Sequence, residues 1–290
     1  VVIDVDEACS HIFALTDRLA PRPVQIISKN LRPKSDRLLG SRLLTYQPEL
    51  ILSRKYDPML ALFDTLRDNG VQLCWMAHFS TPRELLNPST LAALRRLQNH
   101  GVVVRSQSPI MNHVSLFTDQ NGRVDVERSA RNWIDLAHIL AALSVRFHAM
   151  YCARPTGEQH YFAAPLADIE KVFNLIYRSL ASLHRPSRYI TMTSSAGKVS
   201  LLGTAEVAGE KVFALKFNES RNMAWMDRVF LAKYDAKESR VDKLVPLDTP
   251  KFFFEDELKG IENELNEIHR QHFPRAGGAI ATPNHAKARR

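Results

Sequence analysis

The feature that most constrains this chain is a regular exchange, between residues 57 and 192, of short apolar runs with apolar positions at helical spacing. Met59, Leu62, Phe63 and Leu66 fall on one helical face and stop at Asn69-Gly70, a pair that ends helices. Val71-Gln-Leu-Cys-Trp-Met-Ala77 then reads as a strand. Asn87-Pro88 supplies an N-cap and a proline at the first helical position, opening a helix that runs to His100 with Gly101 as its stop. Val102–Val104 is the next strand, followed by a helix around Ala130–Leu143 and a strand at Val145–Tyr151. Leu166, Ile169, Phe173, Ile176, Leu180 and Leu183 share the face of a further helix, and the strand Tyr189–Met192 closes the series. Strands alternating with helices across short joints predict right-handed crossovers and a parallel sheet, either a barrel or an open doubly wound sheet.

The flanks follow different rules. Val1–Asp4 and Val24–Ile27 read as strands around a helix near Glu7–Leu19, and residues 30–56 form a proline- and arginine-rich connection. Beyond Lys198, Lys211–Phe217 and Arg228–Tyr234 read as antiparallel strands. Phe254, Leu258, Ile261, Leu265 and Ile268 then mark an amphipathic helix, acidic at its start and basic at its end as the helix dipole prefers. The expected fold class is α/β, divided into 1–198, a terminal extension 199–273 and a basic tail 274–290.

Composition narrows the partners. At 290 residues and 45% hydrophobic the chain can bury a substantial core. No apolar run approaches the roughly 20 residues that cross a bilayer, and no signal segment opens the sequence, so a cytoplasmic location without a membrane partner is expected. Cys9, Cys74 and Cys152 are far apart and odd in number, which argues for a reducing compartment and against any metal site in this chain built from cysteines. The net charge is +8, but Arg275, Lys287, Arg289 and Arg290 lie in the tail without an acid beside them. That tail has the composition of a disordered segment. The rest is only mildly basic, so a nucleic-acid partner is not expected; a basic module acting through the tail and residues 32–42 is the competing idea. A small molecule is the expected partner, and self-association is allowed. The opening Val1-Val-Ile reads as a strand already under way, as in a fragment or a processed chain.

Ligands of parallel α/β folds bind where the strands end. Four polar segments lie there: His78-Phe-Ser-Thr-Pro82, Arg105-Ser-Gln-Ser108, Tyr151-Cys-Ala-Arg-Pro-Thr-Gly157 with His160, and Thr191 through Lys198. In the last, a single lysine follows Thr193-Ser-Ser-Ala-Gly197. A phosphate loop is excluded, because Met192 occupies the place of its first glycine and Val199 that of its hydroxyl residue. A lysine made nucleophilic by burial and a solvated turn lysine both remain open. His100, His113, His148, His269 and His272 read as caps or surface residues.

Together these segments resemble the lysine 2,3-aminomutase family. His78-Phe-Ser-Thr-Pro-Arg-Glu84, a helix, and Gly101-Val-Val-Val-Arg-Ser-Gln-Ser108 are similar to its His-Phe-Asn-His-Pro segment, helix and Ala-Gly-Val-Pro-Leu-x-Asn-Gln-Ser. Cys152, Gly157 and His160 match its Tyr-Gln-Cys-Asp-Leu-x-x-Gly-x-x-His. The Lys198 segment resembles its Gly-Gly-Gly-Gly-Lys loop. The likeness spans about residues 1–235 and implies a partial (βα) barrel of the radical S-adenosylmethionine class, carrying a terminal hairpin and helix. It implies an isomerase in which a [4Fe–4S] cluster and S-adenosylmethionine generate a radical while pyridoxal phosphate carries the migrating amino group. On this reading Lys198 holds pyridoxal phosphate in a loop with Gly197, and Glu7, His78 and Gln107 line the S-adenosylmethionine pocket.

The departures are specific. The family's three-cysteine cluster motif is absent from this chain, so its ligands are expected upstream of Val1. Val5 and Asp6 stand where the family has glycines. Ala153 and Thr191 stand where lysine-specific members present aspartates to the substrate's distal ammonium, which argues for an amino acid other than lysine. Arg42, in Gly40-Ser-Arg, resembles a family tripeptide. A catalytically silent relative that binds or scaffolds is the alternative.

Overall fold

Seven strands form one sheet in strict sequence order, and this order is what positions the polar segments. A computed structural model describes residues 48–153 and 161–272, with two short strands ahead of them. Those two, β1 (Val2–Ile3) and β2 (Gln25–Ile26), pair in parallel as the sequence predicts. Glu7, Arg42, Gly157, His160, the helix near Glu7–Leu19 and the tail 274–290 lie outside the described residues.

The expected alternation is present. Helices α1 (Pro48–Leu52) and α2 (Asp57–Asp68) precede β3 (Cys74–Ala77). Short α3 (Pro82–Leu85) and α4 (Pro88–Asn99) lead to β4 (Val103–Ile110), and α5 (Val126–Ala142) to β5 (Arg146–Cys152). Helix α6 (Leu166–Ser179) then leads to β6 (Ile190–Thr193). Asn87 caps α4 through its side chain, which accepts from the Ser89 amide at 2.9 Å, and Asp125 caps α5 by accepting from Arg128 at 3.0 Å. Strands β3 to β6 are all parallel.

At β6 the sheet changes direction. Ser194 and Gly197 close a tight turn, with the Ser194 amide donating to the Gly197 carbonyl at 2.7 Å. The chain returns as β7 (Gly197–Val207), antiparallel to β6. A second turn through Ala208 and Gly209, both at positive φ (49° and 82°), leads to β8 (Glu210–Ser220), and β9 (Val229–Lys233) completes the meander. Helix α7 (Glu255–His272) follows. The expected division at 198/199 falls inside β7, so the sheet crosses it unbroken. Segment Arg105–Ser108, read as a polar loop, is the middle of β4.

Alternation along the strands gives the sheet two unlike faces. Trp75, Val104, Ile110, Phe147, Met150, Met192, Val199, Leu201 and Leu215 join the helices in one buried core. Trp133 of α5 is fully buried and stacks on Phe147, ring centroids 6.1 Å apart. At the far end Phe217, Trp225, Phe230, Phe252 and Phe254 form an aromatic cluster, with Phe217 and Phe254 centroids 5.0 Å apart. From β4 onward the opposite face is polar.

Candidate functional site

The polar face is richest where β5 and β6 end and β7 begins. Tyr151, Thr191, Ser200 and Lys216 stand in one row across β5, β6, β7 and β8. Directly paired residues share a face, so their side chains project together. One step further, Thr193 pairs with Lys198, and Lys198 with Glu219. Lys198 Nζ meets Glu219 Oε1 at 2.6 Å, with the lysine side chain 27% exposed and the glutamate 66%. The lysine is therefore half-buried and paired.

Neighbouring groups complete the site. The Asn218 carboxamide donates to Thr191 Oγ1 at 3.1 Å. Ser200 Oγ is buried and has no hydrogen-bond partner among the described residues. An unsatisfied buried hydroxyl of this kind costs about 1–3 kcal/mol. Burial raises the Tyr151 pKa, and the Glu219 carboxylate raises it further.

The turn explains its own glycine. Gly197 has φ +147°, and a Cβ built there would lie 2.1 Å from the Glu219 carbonyl oxygen. Its lack of a side chain is thus required by the approach of β8. The small residues before Lys198 serve a two-residue hairpin bend, and the close approach expected of a cofactor is taken at Gly197 by a neighbouring strand.

Of the residues picked from sequence, Ala153, Thr191, Gly197 and Lys198 come together. Ala153 is half-buried just beyond β5, two residues past Tyr151, and Thr191 is buried in the row below Lys198. Gln107 is half-buried on the polar face of β4, three strands from β7, or about 14 Å across the sheet. His78 follows β3 at the edge, four strands from β7 and about 19 Å away across the sheet. His78 is exposed, yet the protein crowding it lowers its pKa by desolvation; the exposure limits that shift.

Sequence reading placed Tyr151 in a polar segment at a strand end but missed Ser200, Asn218 and Glu219 as site members, and it took His148 for a cap or surface residue. His148 is half-buried on the polar face, its pKa lowered by desolvation and then by Arg105, Arg146 and Lys198. The alternation of Arg146 and His148 with Val145 and Phe147 was the available signal. Nothing in the sequence pairs Glu219 with Lys198; only the hairpin does. His100 does cap α4, its Nδ1 lying 2.8 Å from Asp64. Among the described residues no group of three His, Cys, Asp or Glu side chains can hold a metal ion, and no helix is long and apolar enough to cross a membrane.

No protein-family model matches the chain, and no curated protein matches it. Among solved structures it is similar to ydhD from Bacillus subtilis, assigned as a sporulation-specific glycosylase, at 11% identity over 74% of each chain with a TM-score of 0.26. It is also similar to a class V chitinase from Pseudomonas fluorescens Pf-5, at 9% identity over 81% of this chain and 70% of that one, with a TM-score of 0.27. Similarities this slight carry nothing about the chain's chemistry.

Proposed function

We propose that the chain is an aminomutase-like isomerase of the radical S-adenosylmethionine class that holds pyridoxal phosphate at Lys198 and acts on an amino acid other than lysine. The observation that carries this reading is the place of Lys198: half-buried, on the polar face, at the carboxyl edge of parallel strands, beside Tyr151, Thr191 and Ser200. Parallel α/β sheets bind ligands at that edge. When bound, pyridoxal phosphate would supply an electron sink for chemistry at an amino-bearing carbon. The chain's own residues bind and orient. Glu219 fixes the Lys198 nitrogen, Asn218 fixes the Thr191 hydroxyl, and Ser200 offers a free hydroxyl within the same row. Neither Ala153 nor Thr191 can pair with a distal ammonium, which supports a substrate without one.

His78 and Gln107 are the described residues that would meet S-adenosylmethionine, and Glu7 would join them. The described residues offer no ligand set for an iron–sulfur cluster. The role proposed for them therefore stops at holding pyridoxal phosphate and its amino acid. A cytoplasmic setting fits the two described cysteines, Cys74 and Cys152, which are buried.

One observation favours a silent, ligand-binding relative: the Gly197 hydrogen faces the Glu219 carbonyl, so this glycine has a purely structural use. A single experiment separates the readings. Purified protein mixed with pyridoxal phosphate should develop imine absorbance, and borohydride reduction followed by peptide mapping should place the label on Lys198. Absence of the absorbance, or its survival in Lys198→Ala, refutes the assignment.

A further inference from the structure

The polar face carries a second group of side chains, set away from the hairpin toward the amino ends of the parallel strands. Arg105 and Arg146 stand directly opposite each other across β4 and β5. Like charges so placed destabilise a sheet. Arg146 is exposed and donates through Nη1 to the Leu183 carbonyl. Arg105 has no such outlet: it is half-buried and makes no hydrogen bond or ion pair with the described residues. Gln107, two residues on, shares its face, is half-buried, and is equally without a partner among the described residues.

The third member is placed by a bulge. Between Ser106 and Gln107 the pairing slips, Ser106 facing Phe147 and Gln107 facing Ala149. His148 is the extra residue, set beside the gap between Arg105 and Gln107. Its imidazole makes no hydrogen bond with the described residues. The charged groups that act on it are Arg105 of β4, Arg146 of its own strand and Lys198 of β7, every one a cation. A guanidinium, a carboxamide and an imidazole thus neighbour one another on one face, half-buried and without hydrogen-bond partners among the described residues, with no acid among the charges that act on the imidazole.

We propose that Arg105, Gln107 and His148 form a binding site for an anionic group, a carboxylate or a phosphate, carried by a small molecule. Arg105 supplies a planar fork of donors that matches either group. Gln107 donates through its amide, and His148 donates from one ring nitrogen, adding a positive charge when protonated. A bound anion offsets the repulsion between Arg105 and Arg146. The proposal does not depend on the role of Lys198, and it assigns Gln107 to the anion independently of the S-adenosylmethionine contact proposed above.

Inorganic phosphate and succinate, titrated in parallel by calorimetry at constant ionic strength, test the site; the tighter ligand identifies the group. Saturable binding is expected, weakened about tenfold or more in Arg105→Gln, as loss of a charge-assisted hydrogen bond predicts. Arg105→Lys should bind with intermediate affinity. Wild-type binding should tighten as pH falls through the lowered His148 pKa, and His148→Gln should abolish that tightening. Arg131→Gln, on the exposed side of α5, should bind as wild type. Thermal melts without anion provide a second readout, because Arg105→Gln removes a repulsion and should melt no lower than wild type. Lys198→Ala should keep the site, which separates its failure from failure of the pyridoxal phosphate reading. No saturable binding of either anion to wild type, or wild-type affinity in Arg105→Gln, overturns the proposal.

Discussion

The two faces of the one sheet are built from alternate residues of the same strands, yet they obey different physics. On the helix side Phe147, Met150 and Cys152 are buried among apolar neighbours, and burial pushes the Cys152 thiol pKa up to about 12. On the other side Arg105, His148, Tyr151, Thr191, Lys198 and Ser200 share one face, several of them without partners among the described residues. The helix side buries two polar atoms without partners among the described residues, Tyr56 Oη and Trp133 Nε1, whereas the polar face keeps most of its hydrogen-bonding side chains only half-buried. A sheet can carry such a face because the apolar one supplies the stability that holds it in place.

Phe217→Ala on the apolar side is expected to destabilise by about 3–5 kcal/mol in chemical denaturation, since the ring is buried in an aromatic cluster. Ser200→Ala on the polar side should instead raise stability by about 1 kcal/mol, because it removes an unsatisfied buried hydroxyl. Equal losses would erase the distinction between the faces. Gly197→Ala tests the seam between them, where the new methyl meets the Glu219 carbonyl. A loss of roughly 3 kcal/mol is expected there from clash and backbone strain.

Smaller effects sharpen the contrast. Tyr56 is fully buried in the core, and its hydroxyl has no partner among the described residues. Tyr56→Phe should therefore raise the melting temperature, by an amount equivalent to about 1 kcal/mol. Because the Lys198–Glu219 pair is partly exposed, Glu219→Gln should alter stability by less than about 1 kcal/mol. The same substitution should disturb the lysine's reaction with pyridoxal phosphate, measured by absorbance. Acid gives the gentlest probe. His78 and His148 have folded-state pKa values below the ordinary 6.5, so the unfolded chain binds their protons more readily. Stability should fall as pH drops from about 6.5 through those lowered values, and His148→Gln should flatten part of that slope.

Much of this architecture was legible from periodicity. The helices over 57–68, 88–99 and 126–142 and the strands around them follow from apolar spacing and caps that need no tertiary information. Strand β7 was not legible. Its pairing slips at Lys198/Val199 and again at Leu201/Gly203, so no clean alternation survives. Leu183, placed with the α6 core face by spacing, lies beyond the helix and is 82% exposed, because α6 stops at Ser179. The site divided in the same way. Thr191 and Lys198 are close in sequence and could be read together, whereas Glu219 and Asn218 reach them only through the β7–β8 hairpin. His148 carried a signal in its alternation, but a bulge cannot be counted from one strand alone.

The turn at Ser195 and Ala196 also sets an order of assembly. Strands β6 to β9 are joined by neighbouring hairpins, whose ends meet after short loop closures, while each parallel pair must wait for an intervening helix. The meander is thus the part of the sheet able to form first, and β6 belongs to it as firmly as to the parallel strands. Once formed, it presents β6 as a ready edge on which β5, then β4 and β3, can dock. Pulse-labelling hydrogen exchange should find protection at residues 197–220 before residues 74–77, so the chain would build its sheet from the carboxyl-terminal side backwards.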